Sequence, residues 1–501
     1  MSLVPVTLPP GMFKNGTPYS AKNRWAGGNL VRWHEGSLRP VGGWELIPTT
    51  GLPNEVSVTY RDMFVWTDNE TNLALVAGSN DGLYSFSLSY TFVDITPAGF
   101  VGSSNVPSAN TGYGRGPYGR GLYGTPRIPT NADLDSQVYR WQFSSWGEDL
   151  IAAANSTEFR GNIYAWTPGD AQAAIIPNAP TDVNGALVTD QRIVMAIGSQ
   201  TDPRIVRWSD RENREDWTPT QVNLAGFQRL EGRGALTNIH SVLNQTLILS
   251  TTDAHVARYI GAPFAYGFDR VGDECGALSS GVVQVADRFA MWIGDRKIWM
   301  YDGTVKEVPC DVMDFLYPDI NRNEIGRAWS MLVSKFNEIW WFYMSNDSQD
   351  DIDSYVAFDY EEGHWSTGKL PRTCGIGGSD LRSPLMLTDA EELYRHEQRN
   401  LLAAGSYAET GPLELGLGDV NMAVSQIFPD LQTIGDVTFT LLGKQMPTDT
   451  EYSYGPYTAA NPTNTRAMGR EIRMRVDGVK REWEVGDTTR FEVAGMGTGR
   501  R

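Results

Sequence analysis

The sequence predicts an all-β fold: a β-propeller-like body of about six blades with additional β-sandwich-like modules. Three observations carry this expectation. Helical periodicity is scarce, a strand–turn–strand unit recurs along the chain, and glycine is abundant beside many aromatics. The 52 glycines and 16 tryptophans among 501 residues are the composition of short strands joined by tight turns.

The recurring unit is an apolar strand, a polar turn and a second strand ending in aromatic residues. It is clearest at 73–86, LALVAGSNDGLYSF, where Asn80-Asp81-Gly82 reads as the hairpin turn. It returns at 150–168, 193–210, 247–259, 289–303 and 338–360, and in shortened form at 385–396. Two such strands cannot bury their faces alone, so radial stacking of the units closes a core. A set of β-sandwiches satisfies the same periodicity and stays open as the alternative. Helix is expected only at 310–332, with 391–402 a weaker candidate.

Residues 1–50 are expected to supply N-terminal strands that join the propeller. Residues 51–400 form its body, with a Gly/Tyr/Arg insertion near 100–135, and 401–501 a C-terminal β-rich module returning to the body. In that module 413–442 and 471–493 alternate strictly, as half-exposed strands do. Ile472, Met474 and Val476 fall on one face, Glu471, Arg473 and Arg475 on the other. The stretch 444–467 reads as a long polar loop, and the pairs Gly27-Gly28 and Gly42-Gly43 as turns between short strands.

Charge excludes one class of function. With 42 basic against 60 acidic residues the net charge is -18, the wrong sign for coating nucleic acid. It suits a repulsive wall beside DNA. The three cysteines, Cys275, Cys310 and Cys374, match no zinc spacing, and an odd number makes a poor disulfide framework. Reduced, mostly buried thiols are expected. No apolar run is long enough to span a bilayer and no targeting segment is evident, so synthesis and retention in a cytosol until assembly are expected.

Motifs that carry chemistry are missing. The five histidines (His34, His240, His255, His364 and His396) show no metal-binding spacing, and there is no P-loop, GxSxG or dinucleotide fingerprint. No catalytic residue, cofactor or metal is expected, and the chain is not read as an enzyme. The acidic run at 346–353 lacks the glycine and terminal glutamate of a calcium loop. It reads as a solvated hairpin tip, with a metal site as the alternative. SDRENREDW at 209–217 lacks the glycine expected in the aspartate-rich hairpins of sialidase-type propellers.

The stretch GYGRGPYGRGLYG at 112–124 places Tyr113, Tyr118 and Tyr123 at a five-residue period, with Arg115 and Arg120 between them. The repeat is short and ordinary globular composition resumes after it. An ordered loop that braces the subunit or a neighbour is favoured over a DNA-proximal loop or a flexible RNA-binding tract. Trp208 and Trp217 are expected to pack a blade hairpin. Arg473 and Arg475 are expected to pair with acidic side chains across an interface. A phosphate-facing patch or solvated charge is the alternative for the arginines.

GNLVRWHEGSLRPVGGWELI (28–47), the GYG…PYG…LYGTPR loop (112–127), IVRWSDRENREDWTPTQVNLAG (205–226) and MGREIRMRVDGVKREWEVGD (468–487) together resemble a family of phage structural proteins. This is the tail nozzle, or head-to-tail (packaged-DNA) stabilisation protein, of short-tailed phages. The resemblance implies a propeller-bearing subunit, usually in a ring of six copies, made in the bacterial host's cytoplasm and built into the virion tail. Such a ring sits below the portal and adaptor rings, extends the DNA channel, retains the packaged genome and docks fibres or a needle. Double-stranded DNA would pass it without sequence specificity. A host-glycan-binding or glycan-degrading propeller, tailspike-like or sialidase-like, is the functional alternative, discriminated by release of reducing ends from host polysaccharide. A cytosolic ligand-binding propeller is a third reading and predicts a stable monomer.

Overall fold

Seven four-stranded antiparallel sheets follow one another along the described chain. The structure, a computed structural model, describes residues 2–51, 58–68, 72–87, 89–102, 140–155, 160–199, 201–348, 350–378, 381–416, 420–446, 448–479 and 482–495. Sheet one comprises Tyr60–Thr67, Leu73–Ser79, Leu83–Phe86 and Phe92–Asp94. Sheet two comprises Arg140–Trp146, Asp149–Asn155, Arg160–Trp166 and Ala174–Ile175. Sheet three comprises Gly185–Val188, Val194–Ile197, Ile205–Trp208 and Gly226–Arg229. Sheet four comprises Leu236–Val242, Gln245–Ser250, Ala254–Gly261 and Ala265–Gly272. Sheet five comprises Val283–Val285, Ala290–Ile293, Ile298–Tyr301 and Val305–Val308. Sheet six comprises Trp329–Val333, Glu338–Tyr343, Ser354–Asp359 and His364–Lys369.

Sheet seven is assembled from both ends of this region. Cys374–Ile376, Leu385–Leu387 and Leu393–Leu402 are completed by Gly42–Ile47, which pairs antiparallel with the last of them. The first strand of each sheet packs against the first strand of the next, and that of sheet seven against that of sheet one. The arrangement is propeller-like, with seven sheets where about six were expected. Each hairpin singled out in the sequence is the second and third strand of one sheet. The seventh unit, at 385–396, pairs the three-residue strand Leu385–Leu387 with Leu393–Leu402, and its outer strand comes from residues 42–47.

Apolar layers fill the spaces between neighbouring sheets. Ile151, Ile163, Val183 and Val194 form one between sheets two and three, and Ile197, Val206, Ile239 and Ile248 another between three and four. Tryptophans bridge sheets with their polar edge satisfied. Trp141 Nε1 of sheet two donates to Ser79 O of sheet one at 2.8 Å, and Trp341 Nε1 of sheet six to Val282 O beside sheet five at 2.8 Å. The second strand ends in a serine turn in several sheets. Ser79 Oγ accepts from Gly82 N, Ser199 Oγ from Asp202 N and Ser250 Oγ from Asp253 N.

The remaining strands form the hairpin Val31–His34/Ser37–Pro40 and two larger sheets. One is ordered Ser2–Thr7, Thr488–Gly495, Met422–Phe428, Thr463–Gly469, and the other Trp25–Asn29, Tyr407–Thr410, Glu471–Gly478, Val437–Lys444, Tyr452–Thr458. Val424, Phe491 and Val493 of the first share a buried cluster with Phe439, Leu441, Ile472, Met474 and Val476 of the second, as in a β-sandwich. Trp25–Asn29 packs on His364–Lys369 and so joins this unit to sheet six.

Four local expectations are corrected. Residues 393–402 form a strand rather than a helix, because pairing on both sides fixes them. The supposed polar loop 444–467 contains the edge strand Tyr452–Thr458 and the strand Thr463–Gly469. Its tyrosines and threonines are strand formers on an exposed edge. The two glycine pairs lie inside strands rather than in turns. Close backbone approach requires them: a Cβ at Gly28 would sit 2.8 Å from Tyr407 O, and one at Gly43 2.5 Å from Leu401 O. The helical region is as expected, with the helix Met313–Asp319 followed by a 3-10 turn at Arg322–Arg327.

Candidate functional site

The inner strands bring together charges that the sequence left scattered. The register of sheet one shifts between Tyr60 and Asp62, and such a bulge re-aims neighbouring side chains. Arg61 reaches the sheet-six hairpin and donates to both oxygens of Asp351, at 2.9 and 2.7 Å. Arg327, on the 3-10 turn before sheet six, donates to Asp351 Oδ2 and Glu324 Oε2, both at 2.8 Å. Asp62 reaches sheet two, where Arg140 Nη2 donates to it at 2.6 Å and Trp141 N at 2.7 Å. Arg61 is 0% and Arg327 1% exposed.

Burying an ion is expensive unless a partner of opposite charge is held against it. Here three guanidinium groups (Arg61, Arg140 and Arg327) meet three carboxylates (Asp62, Glu324 and Asp351). Burial pushes the Asp351 carboxyl up, but Arg61 and Arg327 outweigh it and hold it down at about 2. Burial holds Asp62 up at about 6 against the pull of Arg140 and Trp141 N–H.

Beside this cluster lies a cavity of ≈ 140 Å³ lined by Asp62, Arg140, Gln142, Asn238, His240 and Ser330. It has room for about four waters at ~30 Å³ each. Asn238 Nδ2 donates to Ser280 O at 2.6 Å, and Ser330 Oγ donates to Gly281 O at 3.0 Å. Asn238 Oδ1 and His240 Nε2 find no partner among the described residues, and burial lowers His240 to about 4. The arrangement can hold small neutral guests and lock the inner strands in place. Its arginines and carboxylates already neutralise one another.

The acidic run is corrected at Asp351, while Asn346, Asp347 and Asp350 are exposed as expected. Asp351 is not solvated but folds inward, because two buried arginines require a counter-charge. Asp353 accepts from Ser345 N and Oγ, both at 2.9 Å, and closes the base of the same hairpin. Among the described residues no group of three or more His, Cys, Asp or Glu could hold a metal ion.

The other predicted residues separate into three places. Trp208 is buried on the third strand of sheet three, its Nε1 donating to Leu224 O at 2.7 Å. Trp217 packs against the layer between sheets two and three, its Nε1 donating to Arg214 O at 2.8 Å. Arg473 and Arg475 lie on the outer face of Glu471–Gly478, where their acidic partners belong to the same chain. Arg473 Nη2 meets Glu451 Oε2 at 2.6 Å, and Arg475 meets Glu409 at 2.8 Å and Asp477 at 2.7 Å. Neighbouring segments of one sheet present these groups to each other, so the pairs form within the chain. Tyr113, Tyr118, Tyr123, Arg115 and Arg120 lie outside the described residues.

All three cysteines are free and buried, and burial pushes the thiols of Cys275 and Cys310 up to about 11 and 12. His396 accepts from Arg372 Nε at 3.0 Å inside the fold. No helix among the described residues is long and apolar enough to cross a membrane. Comparison of the sequence with protein-family models and with curated proteins returns no match to either.

Sequence reasoning missed Arg61, Asp62, Arg140, Arg327 and Asp351. One signal was available: Arg61-Asp62 is a charged pair at the start of an otherwise apolar strand, YRDMFVWT. An ionised pair at a position expected to be buried predicts partners.

Proposed function

We propose that the chain is a structural subunit of a phage tail, a nozzle or hub ring below the portal and adaptor. In this reading the seven sheets are blades of one closed propeller, and copies of the chain form a ring, taken as a hexamer from the family resemblance. The ring extends the DNA channel, retains packaged DNA and docks fibres or a needle, in the tail of a virion assembled in the bacterial cytoplasm.

The observation that carries the proposal is the neutral inner cluster. Arg61, Arg140 and Arg327 are matched by Asp62, Glu324 and Asp351, so the chain's net charge of -18 is borne by the other residues. A surface with that excess repels phosphate and lets DNA slide past. Arg32 supports the same picture of a rigid tile. It is buried between Glu338 of sheet six and Glu397 of sheet seven, at 3.0 and 2.6 Å, and thus locks the N-terminal hairpin Val31–His34/Ser37–Pro40 to two sheets. Native mass measurement of the purified chain, alone and mixed with adaptor rings, tests the proposal. A ring of defined copy number on the adaptor is expected, and a strict monomer in every mixture contradicts it.

A further inference from the structure

Outside the inner cavity, sheet three carries a second concavity of ≈ 380 Å³ with a different chemistry. Its walls include Arg207, Trp217, Phe227, Asn178, Thr218 and Asp182. Arg207 and Phe227 are direct cross-strand partners, so cation and ring lie on one face of the sheet. The Phe227 ring is 63% exposed. The half-buried Arg207 guanidinium has no ion pair or hydrogen bond among the described residues. Nearby acids pair instead with Arg192, Arg214 and Arg229.

The pocket is built from an ordered loop. Residues 209–225 join the third and fourth strands of sheet three and are tied internally. Asn223 Nδ2 donates to Asp216 Oδ2 at 2.9 Å and to Thr218 O at 2.8 Å, Leu224 N donates to Asp210 Oδ1 at 2.8 Å, and Arg214 pairs with Asp149 of sheet two. Trp217 is pinned by its own indole hydrogen bond. Long loops held this firmly are commonly functional.

We propose that this pocket binds a pyranose bearing a carboxylate, a uronate or sialate, whether free or within a polysaccharide. The carboxylate pairs with Arg207, whose planar fork suits bidentate contact. The ring's apolar face lies on Phe227 beside Trp217. Asn178 and Thr218 offer polar groups to the hydroxyls. The volume lies in the range of about 300–1,000 Å³ typical of small-ligand pockets. A protein partner needs a far larger area, about 800 Å² per side. A polyphosphate is disfavoured by the acidity of the chain and by the presence of a single unpaired cation. The inference does not rest on the ring proposal.

Saturation-transfer NMR on the full chain tests it, with 3′-sialyllactose, glucuronate and trigalacturonate as acidic probes and lactose and maltotriose as neutral ones. The acidic probes are expected to bind about tenfold or more tightly than the neutral ones, as a charge-assisted pair confers. Free and chain-bound carboxylate sugars are separated by comparing glucuronate with trigalacturonate. Arg207→Gln should abolish the acidic preference without moving the unfolding midpoint, and Phe227→Ala should weaken acidic and neutral sugars alike. No transfer to any acidic probe at millimolar concentration overturns the proposal. So does an acidic preference that survives Arg207→Gln, or a loss on Arg207→Gln confined to a protein partner.

Discussion

Two arginine–carboxylate networks in this molecule use the same groups in different surroundings. The inner network around Asp351 is enclosed, with Arg61 and Arg327 almost fully buried. The outer network on Glu471–Gly478 is open, with Arg473 22% and Arg475 33% exposed. The inner charges are held against one another by the strands and turns that carry them, so their geometry is fixed by the fold. The outer charges exchange readily with water, salt or a neighbouring chain. The comparison teaches that ion-pair geometry alone does not rank importance, since both networks contain contacts below 3 Å. Desolvation ranks it.

The largest expected effect follows from breaking the inner network. Asp351→Asn removes the counter-charge of two buried guanidinium groups and should destabilise by about 3–5 kcal/mol, read as a lower urea midpoint at unchanged slope. Replacing Arg61 and Asp351 together by apolar residues of similar volume should cost much less than the sum of the single changes. Additive losses would show that the two groups do not act as a pair.

The next effect is in pH. Unfolded Asp and His titrate near about 3.9 and 6.5. His240, lowered to about 4, binds fewer protons folded than unfolded, so its contribution is lost as pH falls from about 6.5 through 4. Asp62, raised to about 6, binds more protons folded, so stability gained below about 4 is lost as pH rises through 6. These oppose each other. Asp351, held at about 2, loses its contribution only as pH falls from about 4 through 2. The contributions of Asp62 and His240 should therefore nearly cancel between pH 6 and 4, and that of Asp351 should fall away below it. Relative to wild type, His240→Gln should gain on the order of 2 kcal/mol on acidification from 6 to 4, measured by unfolding of both proteins at each pH. Parallel profiles for the two proteins would remove His240 from the account.

Smaller again is Gly43→Ala, whose Cβ would lie 2.5 Å from Leu401 O in the closing pair of sheet seven. A cost of about 1–3 kcal/mol is expected, visible as a lowered thermal midpoint. Smallest is Arg475→Gln on the outer network, expected below about 1 kcal/mol and to shrink further in high salt. A larger loss would place this network with the inner one.

Much of the fold was legible because the repeated hairpins carry strong apolar alternation. Their turn residues, such as Asn80-Asp81-Gly82, sit where the chain reverses. The first and fourth strands were not legible. Some are short, as in Ala174–Ile175 and Val283–Val285, and owe their state to pairing rather than to propensity; others, such as Tyr60–Thr67 and Ala265–Gly272, are long but lie outside the recurring unit. Sheet seven was hidden because its outer strand lies more than three hundred residues from its partners. The β-former alternation of 471–476 identified the buried set Ile472, Met474 and Val476 correctly. The inner ion cluster was illegible because Arg61, Arg140, Arg327 and Asp351 are distant in sequence and acquire meaning only when the inner strands meet. Asp351 was misread for the same reason: next to Asp350 and Asp353 it looks like a solvated tip, and only the arrival of Arg61 and Arg327 draws it inside.

Electron cryo-microscopy of the purified chain bound to adaptor rings tests the central claim most directly. The account predicts a symmetric ring of propeller-bearing subunits around a bore wide enough for duplex DNA and walled by carboxylates, with the Arg61–Asp351–Arg327 cluster closed inside every subunit. A bore walled by lysine and arginine, or a subunit that never joins the adaptor, would contradict it.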